Sequence, residues 1–436
     1  MTRSTISPSL DWQPPVIRTV EDTGLNAGFI QDLILKLMYL RGQLIGRTIA
    51  DSTHLPFTGV ISPMLDFLKR EQMCEVKGSG GLGAASYEYV ITNKGAARAR
   101  EQMERTTYVG PAPVAWDEYV AAINAQRTQK LTVNPSIMSR SLSHLVLDEA
   151  VFSKIGPAVN SGKSMFLYGP PGNGKTTIAE AIGEMVLKND MYIPYAVEVD
   201  GQIIKVYDEI NHKAVPTDNN SNIGTGSLSS KRLDQRWVRI KRPVIMVGGE
   251  LTLDGLDLKY DTSNKYYEAP FQMKANGGMF LIDDFGRQQV RPRDLLNRWI
   301  VPMEKNIDFL ALHTGRKVEV PFAVLIVFST NLPPRDLVDE AFLRRIRHKI
   351  EVSSPSFEGY REIFKIVCKS RQIPYDDKAV KYLLQEYYVK QKHKLRANHP
   401  RDLIDQIMDI ADYLGKEPKL TKEFIDRATD AYFVNL

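Results

Sequence analysis

The chain is poor in the residues that build covalent cross-links and metal centres. Only two cysteines, Cys74 and Cys368, occur in 436 residues. They lie far apart and form no C-x-x-C, which excludes a disulfide framework and a cysteine metal or redox site, and fits a reducing compartment. The seven histidines never fall in H-E-x-x-H or another ligand spacing, so no histidine metal centre is expected. No apolar run approaches the ~20 residues that a spanning helix needs, and no membrane insertion is expected. The opening stretch MTRSTISPSLDWQPP carries no apolar h-region, which argues against a signal peptide and for a cytoplasmic protein. Charge is nearly balanced, with a net +5. That excess is small for the length and by itself implies neither nucleic acid nor membrane. The apolar fraction of 43% and charged fraction of 25% are those of an ordinary globular protein, long enough for two or three domains.

One stretch stands out. Gly169-Pro170-Pro171-Gly172-Asn173-Gly174-Lys175-Thr176 fits G-x-x-x-x-G-K-[ST] at every fixed position. Before it, Ser164 to Tyr168 reads as a short buried strand; after it, Thr177 to Leu187 reads as a helix. A strand, a glycine-rich turn and a helix N-terminus make an anion site, because turn N–H groups and the helix dipole both face the ligand. Lys175 is placed to reach β- and γ-phosphates, and the Thr176 hydroxyl to bind Mg²⁺. A nucleoside triphosphate is the expected ligand.

Further along, Met279 to Ile282 is an apolar strand ending in Asp283 and Asp284. Adjacent carboxylates at a strand end can divide two tasks: Asp283 holding Mg²⁺ through water, and Asp284 orienting an attacking water. Val324 to Phe328 is another buried strand, ending in Ser329-Thr330-Asn331. Together these features resemble the AAA+ ATPase superfamily, over the span from about His144 to the C-terminus. The resemblance implies hydrolysis of ATP with Mg²⁺, with Asn331 as sensor 1. It implies an arginine finger at Arg344 or Arg345, reaching the neighbouring subunit's nucleotide in a ring-shaped homo-oligomer, and Arg401 as sensor 2. The second Walker B carboxylate is Glu in most relatives; Asp284 is one methylene shorter, which implies slower turnover. Ile307 to Phe322 alternates around His-Thr-Gly-Arg-Lys, a hairpin pattern. A hairpin there resembles the presensor-1 clade of MoxR-type ATPases and enhancer-binding activators, although the activators' G-A-F-T-G-A loop is absent.

The expected organisation is a flexible tail over residues 1–24, a domain over 25–107, a linker over 108–143 with a helix at Trp116 to Gln126, an α/β nucleotide-binding domain with a largely parallel sheet over 144–352, and a helical lid over 353–436. Three helices, two strands and a glycine-rich tip in 25–107 resemble a winged helix. Such domains read DNA through their third helix, here Phe57 to Arg70. Residues 1–110 hold 12 Lys and Arg against 11 Asp and Glu, a weak footprint for DNA. A protein client is therefore the first expected partner, and DNA, through the winged helix, the second. Five other stretches read two ways. Lys259 to Tyr267 is either a substrate-gripping loop or an aromatic cluster on a sheet edge. The Arg316-Lys317 tip either lines a ring pore or is solvated. The basic runs at 231–242 and 390–401 are either partner surfaces or solvated faces. Asn219 to Ser230 reads as a surface loop or lid.

Overall fold

The computed structural model describes residues 12–81, 83–127, 133–186, 189–216 and 233–433. The Asn219–Ser230 stretch, Lys231 and Arg232 lie outside the described residues.

The N-terminal unit is built from α1 (Ala27–Arg41), β1 (Leu44–Ile45), α2 (Gly46–Thr53), α3 (Ser62–Arg70), β2 (Cys74–Ser79), β3 (Tyr87–Ile91) and α4 (Asn93–Arg105). Asn26 and Thr92 cap α1 and α4 through their side-chain oxygens, taking up orphan first-turn donors. The strands order as β1-β3-β2, antiparallel. The third helix is not continuous as expected from Phe57. A wide π turn at Phe57–Ile61 precedes α3. Pro63 explains it, since proline has no N–H and its ring crowds the carbonyl one turn back.

Residues 12–24 are no flexible tail. Trp12 packs edge-on to Trp237 at 5.0 Å, and Ile17 and Thr23 are buried. A Cβ on Gly59 would lie 1.6 Å from the Arg18 carbonyl oxygen. The arm therefore lies directly on the start of the helix that would have to enter a DNA groove.

The stretch expected as a linker is structured too. It contributes β4 (Val114–Ala115), α5 (Trp116–Arg127) and α6 (Pro135–Ser141), followed by α7 (Glu149–Ser161). Tyr119, Ala122 and Ile123 of α5 are fully buried.

The remaining elements are β5 (Met165–Tyr168), α8 (Lys175–Val186), β6 (Asp190–Pro194), β7 (Ala196–Val199), β8 (Gln202–Lys205), β9 (Trp237–Lys241), β10 (Val244–Val247), β11 (Lys259–Asp261), β12 (Tyr266–Glu268), α9 (Phe271–Lys274), β13 (Met279–Ile282), α10 (Pro292–Lys305), β14 (Ile307–Ala311), β15 (Lys317–Pro321), β16 (Leu325–Thr330), α11 (Pro334–Leu337), α12 (Glu340–Leu343), β17 (His348–Glu351), and α13 (Phe357–Ser370), α14 (Asp377–Leu383), α15 (His399–Tyr413) and α16 (Lys422–Tyr432). The fold is mixed α/β. Its centre is a five-stranded parallel sheet ordered β10-β13-β16-β5-β17. The three inner strands β13, β16 and β5 are buried on both faces, which is why they read as continuous apolar runs, whereas the edge strands β10 and β17 keep exposed residues such as Met246 and Lys349. The C-terminal part is helical, with its own core around Tyr360, Phe364, Leu403 and Ile404.

Between α8 and β13 the chain makes a ribbon of β6 and β9 and, with β4 from before α5, a second sheet ordered β11-β12-β8-β7-β4 and mixed in direction. The Lys259–Tyr267 segment is a hairpin of that sheet rather than an open loop. Tyr267 is buried, and Tyr260 stacks on His313 at 4.4 Å. The Arg316 side chain at the β14–β15 tip is tied to Asp200 at 2.7 Å. Within residues 233–242 the basic run is not simply a solvated face. Arg236 is fully buried and Arg242 nearly so, while Arg239 and Lys241 both pair with Asp190 at 2.6 Å.

Candidate active site

Parallel strands present their C-terminal ends at one edge of a sheet, where ligands of open α/β folds bind. Here β5 runs into the glycine-rich turn, β13 into Asp283-Asp284 and β16 into Asn331. Gly169 stands where no other residue fits, because a Cβ there would lie 2.3 Å from the Val352 carbonyl oxygen. The turn thus passes tightly over the end of β17 and delivers Lys175 and Thr176 as the first residues of α8.

Lys175 is buried. Its Nζ donates to the carbonyls of Gly169 at 3.0 Å and Pro170 at 2.9 Å, and to Oδ1 of Asn331 at 2.7 Å. Burial lowers its pKa, against the opposing pull of Asp284 and Asp283. The Thr176 hydroxyl donates to Oδ2 of Asp283 at 2.9 Å. Asn331 Nδ2 donates to Oδ1 of Asp284 at 2.9 Å. Successive strand residues face opposite sides, yet Asp283 and Asp284 both line one cavity. The left-handed backbone of Asp284, φ 49°, ends the strand and turns its carboxylate to that side; Asp is among the residues that tolerate this region.

The cavity has a volume of about 620 Å³, in the range of small-molecule sites. Pro171, Gly172, Asn173, Gly174, Lys175, Thr176, Thr177, Asp283, Asp284, Asn331 and Arg401 line it. Gly169 and Pro170 stand one layer behind, holding Lys175. Arg401 is largely exposed and pairs with the neighbouring Asp402 at 3.2 Å. Arg344 and Arg345 do not line this cavity. Arg344 is 75% exposed and pairs with Glu340 at 2.9 Å, whereas Arg345 is held by Glu304 at 2.5 Å.

Two apolar walls escaped the sequence reading. His144, Leu145, Val146 and Leu147 form one, and Ile363, Ile366 and Val367 of α13 the other. The visible signal was the apolar triplet Leu145-Val146-Leu147 just before α7, and the apolar stripe of α13. Asn398 was also missed as a contact. Its N–H donates to the Gly172 carbonyl at 2.8 Å, and Asn173 Oδ1 accepts from the Ala397 N–H at 3.2 Å. The helical part is thereby latched onto the glycine-rich turn.

A family model described as a domain of unknown function (DUF8689) matches residues 356–431. A vesicle-fusing ATPase of Dictyostelium discoideum is 48% identical over 50 residues, 12% of this chain and 6% of that one. Among solved structures, NtrX from Brucella abortus superposes with a TM-score of 0.37 at 12% identity, over 76% of this chain and 59% of that one. RuvB from Thermotoga maritima, a Holliday junction branch migration motor, gives 0.36 at 14% identity, over 70% and 72%. The chain thus spans a small fraction of the vesicle-fusing ATPase and less than two thirds of NtrX. Structural likenesses this weak carry no weight for function.

Proposed function

We propose that the chain is an AAA+-type ATPase that hydrolyses ATP to ADP and phosphate and uses the cycle to remodel a protein client. The observation that carries this reading is the hydrogen-bonded line Lys175–Asn331–Asp284 beside the pair Thr176–Asp283. A phosphate cation, a polar sensor and two carboxylates meet at one end of a parallel sheet. The two apolar walls suit a flat base, and the turn from Gly169 to Thr177 suits phosphates. Thr176 Oγ1 and Asp283 Oδ2 already face each other, and this hydroxyl–carboxylate pair fits Mg²⁺, which keeps several waters and leans on substrate phosphates. When bound, the ion neutralises β- and γ-phosphate charge. Lys175 exchanges its carbonyl partners for phosphate oxygens, Asp284 holds the attacking water, and Asn331 fixes Asp284 and reports the γ-phosphate. Arg401 closes from the lid over residues 353–436.

Arg344 or Arg345 completes a neighbour's site in a homo-oligomeric ring. Both lie outside their own chain's cavity, as a residue acting in trans must. We read residues 25–107 as a winged-helix domain used for docking or assembly. The arm over Gly59 disfavours the alternative of a DNA-binding regulator. A slow switch is a second reading with its own support, because Lys175 and Asp284 are both engaged within the protein and must be released for turnover. Equilibrium binding of labelled ATP tests the site: Lys175→Ala should abolish it, and unchanged affinity would remove the assignment.

A further inference from the structure

A second cavity, of about 390 Å³, lies where the N-terminal unit meets the mixed sheet, away from the nucleotide cavity. Four tyrosines line it: Tyr108, Tyr195, Tyr207 and Tyr266. They form two edge-on pairs, Tyr195–Tyr207 at 5.2 Å and Tyr108–Tyr266 at 5.8 Å. Tyr108 spends its hydroxyl on the Pro111 carbonyl at 2.7 Å. The hydroxyls of Tyr195, Tyr207 and Tyr266 make no hydrogen bond to any of the described residues. Leu40, at the end of α1, is 54% exposed and forms part of the wall.

Aromatic faces with unspent hydroxyls match one ligand chemistry well. A polyproline-type strand packs proline rings on aromatic faces and leaves every backbone carbonyl unpaired for donors. The charges argue against the other ligand that stacks on tyrosine, single-stranded nucleic acid, which needs phosphate-binding cations along its path. Lys205 is the one cation lining the cavity among the described residues, and Glu268 holds it at 3.5 Å. Exposed Glu209 lies close enough to Tyr195 and Tyr207 that it helps burial raise both phenol pKa values. Glu209 is exposed beside this rim and makes no ion pair with any of the described residues, which leaves its carboxylate to meet a cation.

We infer that this tyrosine-lined cleft binds an extended, proline-bearing peptide segment with basic flanks, and is the first contact for the protein client. The inference deepens the remodelling reading and rests on it only for the client's purpose, since binding needs no nucleotide. A structural line leads from the cleft toward the active site. Tyr267, next to Tyr266, is hydrogen-bonded through its hydroxyl to His313 at the tip of the β14–β15 hairpin, and β15 runs on into β16 and Asn331.

The test is fluorescence anisotropy on the full chain without nucleotide. The probe is a labelled peptide of repeated Pro-Pro-Leu with arginine at each end. The controls are a Gly/Ser peptide with the same ends and a labelled oligothymidylate. Saturable binding of the proline peptide is expected, weakened ~10-fold by Tyr207→Ala, less by Tyr207→Phe, and also weakened by Glu209→Lys at the exposed rim. Lys175→Ala should leave it unchanged, which separates the cleft from the ATP site. Absent binding, equal binding of the Gly/Ser peptide, indifference to the Tyr207 and Glu209 variants, or a preference for oligothymidylate lost in Tyr207→Ala would each overturn the inference.

Discussion

Asn331 donates its amide to Asp284 across 2.9 Å, tying the end of β16 to the end of β13. An amide fixed on one side by a carboxylate and on the other by Lys175 has little freedom to turn. On the proposed reading, it holds Asp284 where water must be oriented. Asn331→Ala should therefore keep ATP binding within a few-fold and lower hydrolysis about a hundredfold, the scale of losing one placed polar group. Binding and turnover measured on the same preparation check this. Parallel loss of both would reduce Asn331 to a structural role.

The shorter acid at Asp284 leads to a second expectation. Its arm holds water less closely than glutamate would, so turnover should be slow and should rise with protein concentration as assembly proceeds. Asp284→Glu should raise the rate at fixed concentration. Fast hydrolysis by dilute, monomeric protein would contradict this.

An arginine acting in trans has a mixing signature. Among the described residues Arg344 is held only by an exposed pair on its own turn, which costs little to break. Arg345 must leave Glu304, across elements. Arg344→Ala subunits mixed with Lys175→Ala subunits should regain part of the activity that each lacks alone, because some interfaces join an intact turn to an intact finger. ATPase rate is read against mixing ratio at fixed total protein. Zero rate at every ratio, with subunit exchange confirmed, removes the intersubunit claim.

The three inner strands of the parallel sheet were legible because they are unbroken apolar runs, Met279 to Ile282 before Asp283 being the clearest, whereas edge strand β17 alternates charged and apolar residues and gave no such signal. The glycine-rich turn was legible because its spacing is rigid. The mixed sheet was not. Its strands are as short as Val114–Ala115 and Lys259–Asp261, below the length at which alternation registers. Arg236 was misread because a basic run normally means a solvated face. The one local clue was Asp234 two positions earlier, and its other partners, Thr23, Pro113 and Glu118, are far away in sequence. The arm over 12–24 escaped because prolines and polar residues signal a loop, while its anchors, Trp12 and Ile17, find their partners only through tertiary contacts.

Arg236 yields a stability prediction. With no exposed side-chain surface, it donates to Asp234, to the Thr23 carbonyl at 2.8 Å and to the Pro113 carbonyl at 2.9 Å. Arg236→Met would leave the Asp234 carboxylate buried without its cation, a loss of about 3–5 kcal/mol. Changing Asp234 to Leu as well should recover part of it. Urea unfolding of the single and double variants measures both. A neutral single variant would contradict the assigned role.

His399, at the start of α15, gives a pH dependence. Burial, with help from nearby Arg396 and His393 and against the pull of Asp402, lowers its pKa from 6.5 to about 4. Tyr388 shares a hydrogen bond with its Nδ1 at 2.8 Å, and the rings of Tyr432 and Phe433 pack on it. The folded state keeps it neutral while the unfolded chain charges it. Stability should therefore be full above pH 6.5 and fall as pH drops from there toward 4, by about 3 kcal/mol at most. Thermal unfolding from pH 7 to 4.5 should show this slope, and His399→Gln should flatten it. An equal slope in the variant would assign the effect elsewhere.

On the proposed reading this cavity hydrolyses ATP, with Asp284 as the group that orients water. The most direct measurement is phosphate release from ATP and Mg²⁺ by the wild type and Asp284→Asn, alongside ATP binding by each at equal protein concentration. Release by the wild type, its loss in Asp284→Asn and near-equal ATP binding by both are the predicted result. Undiminished phosphate release by Asp284→Asn, or a wild type that binds no ATP, would contradict the account.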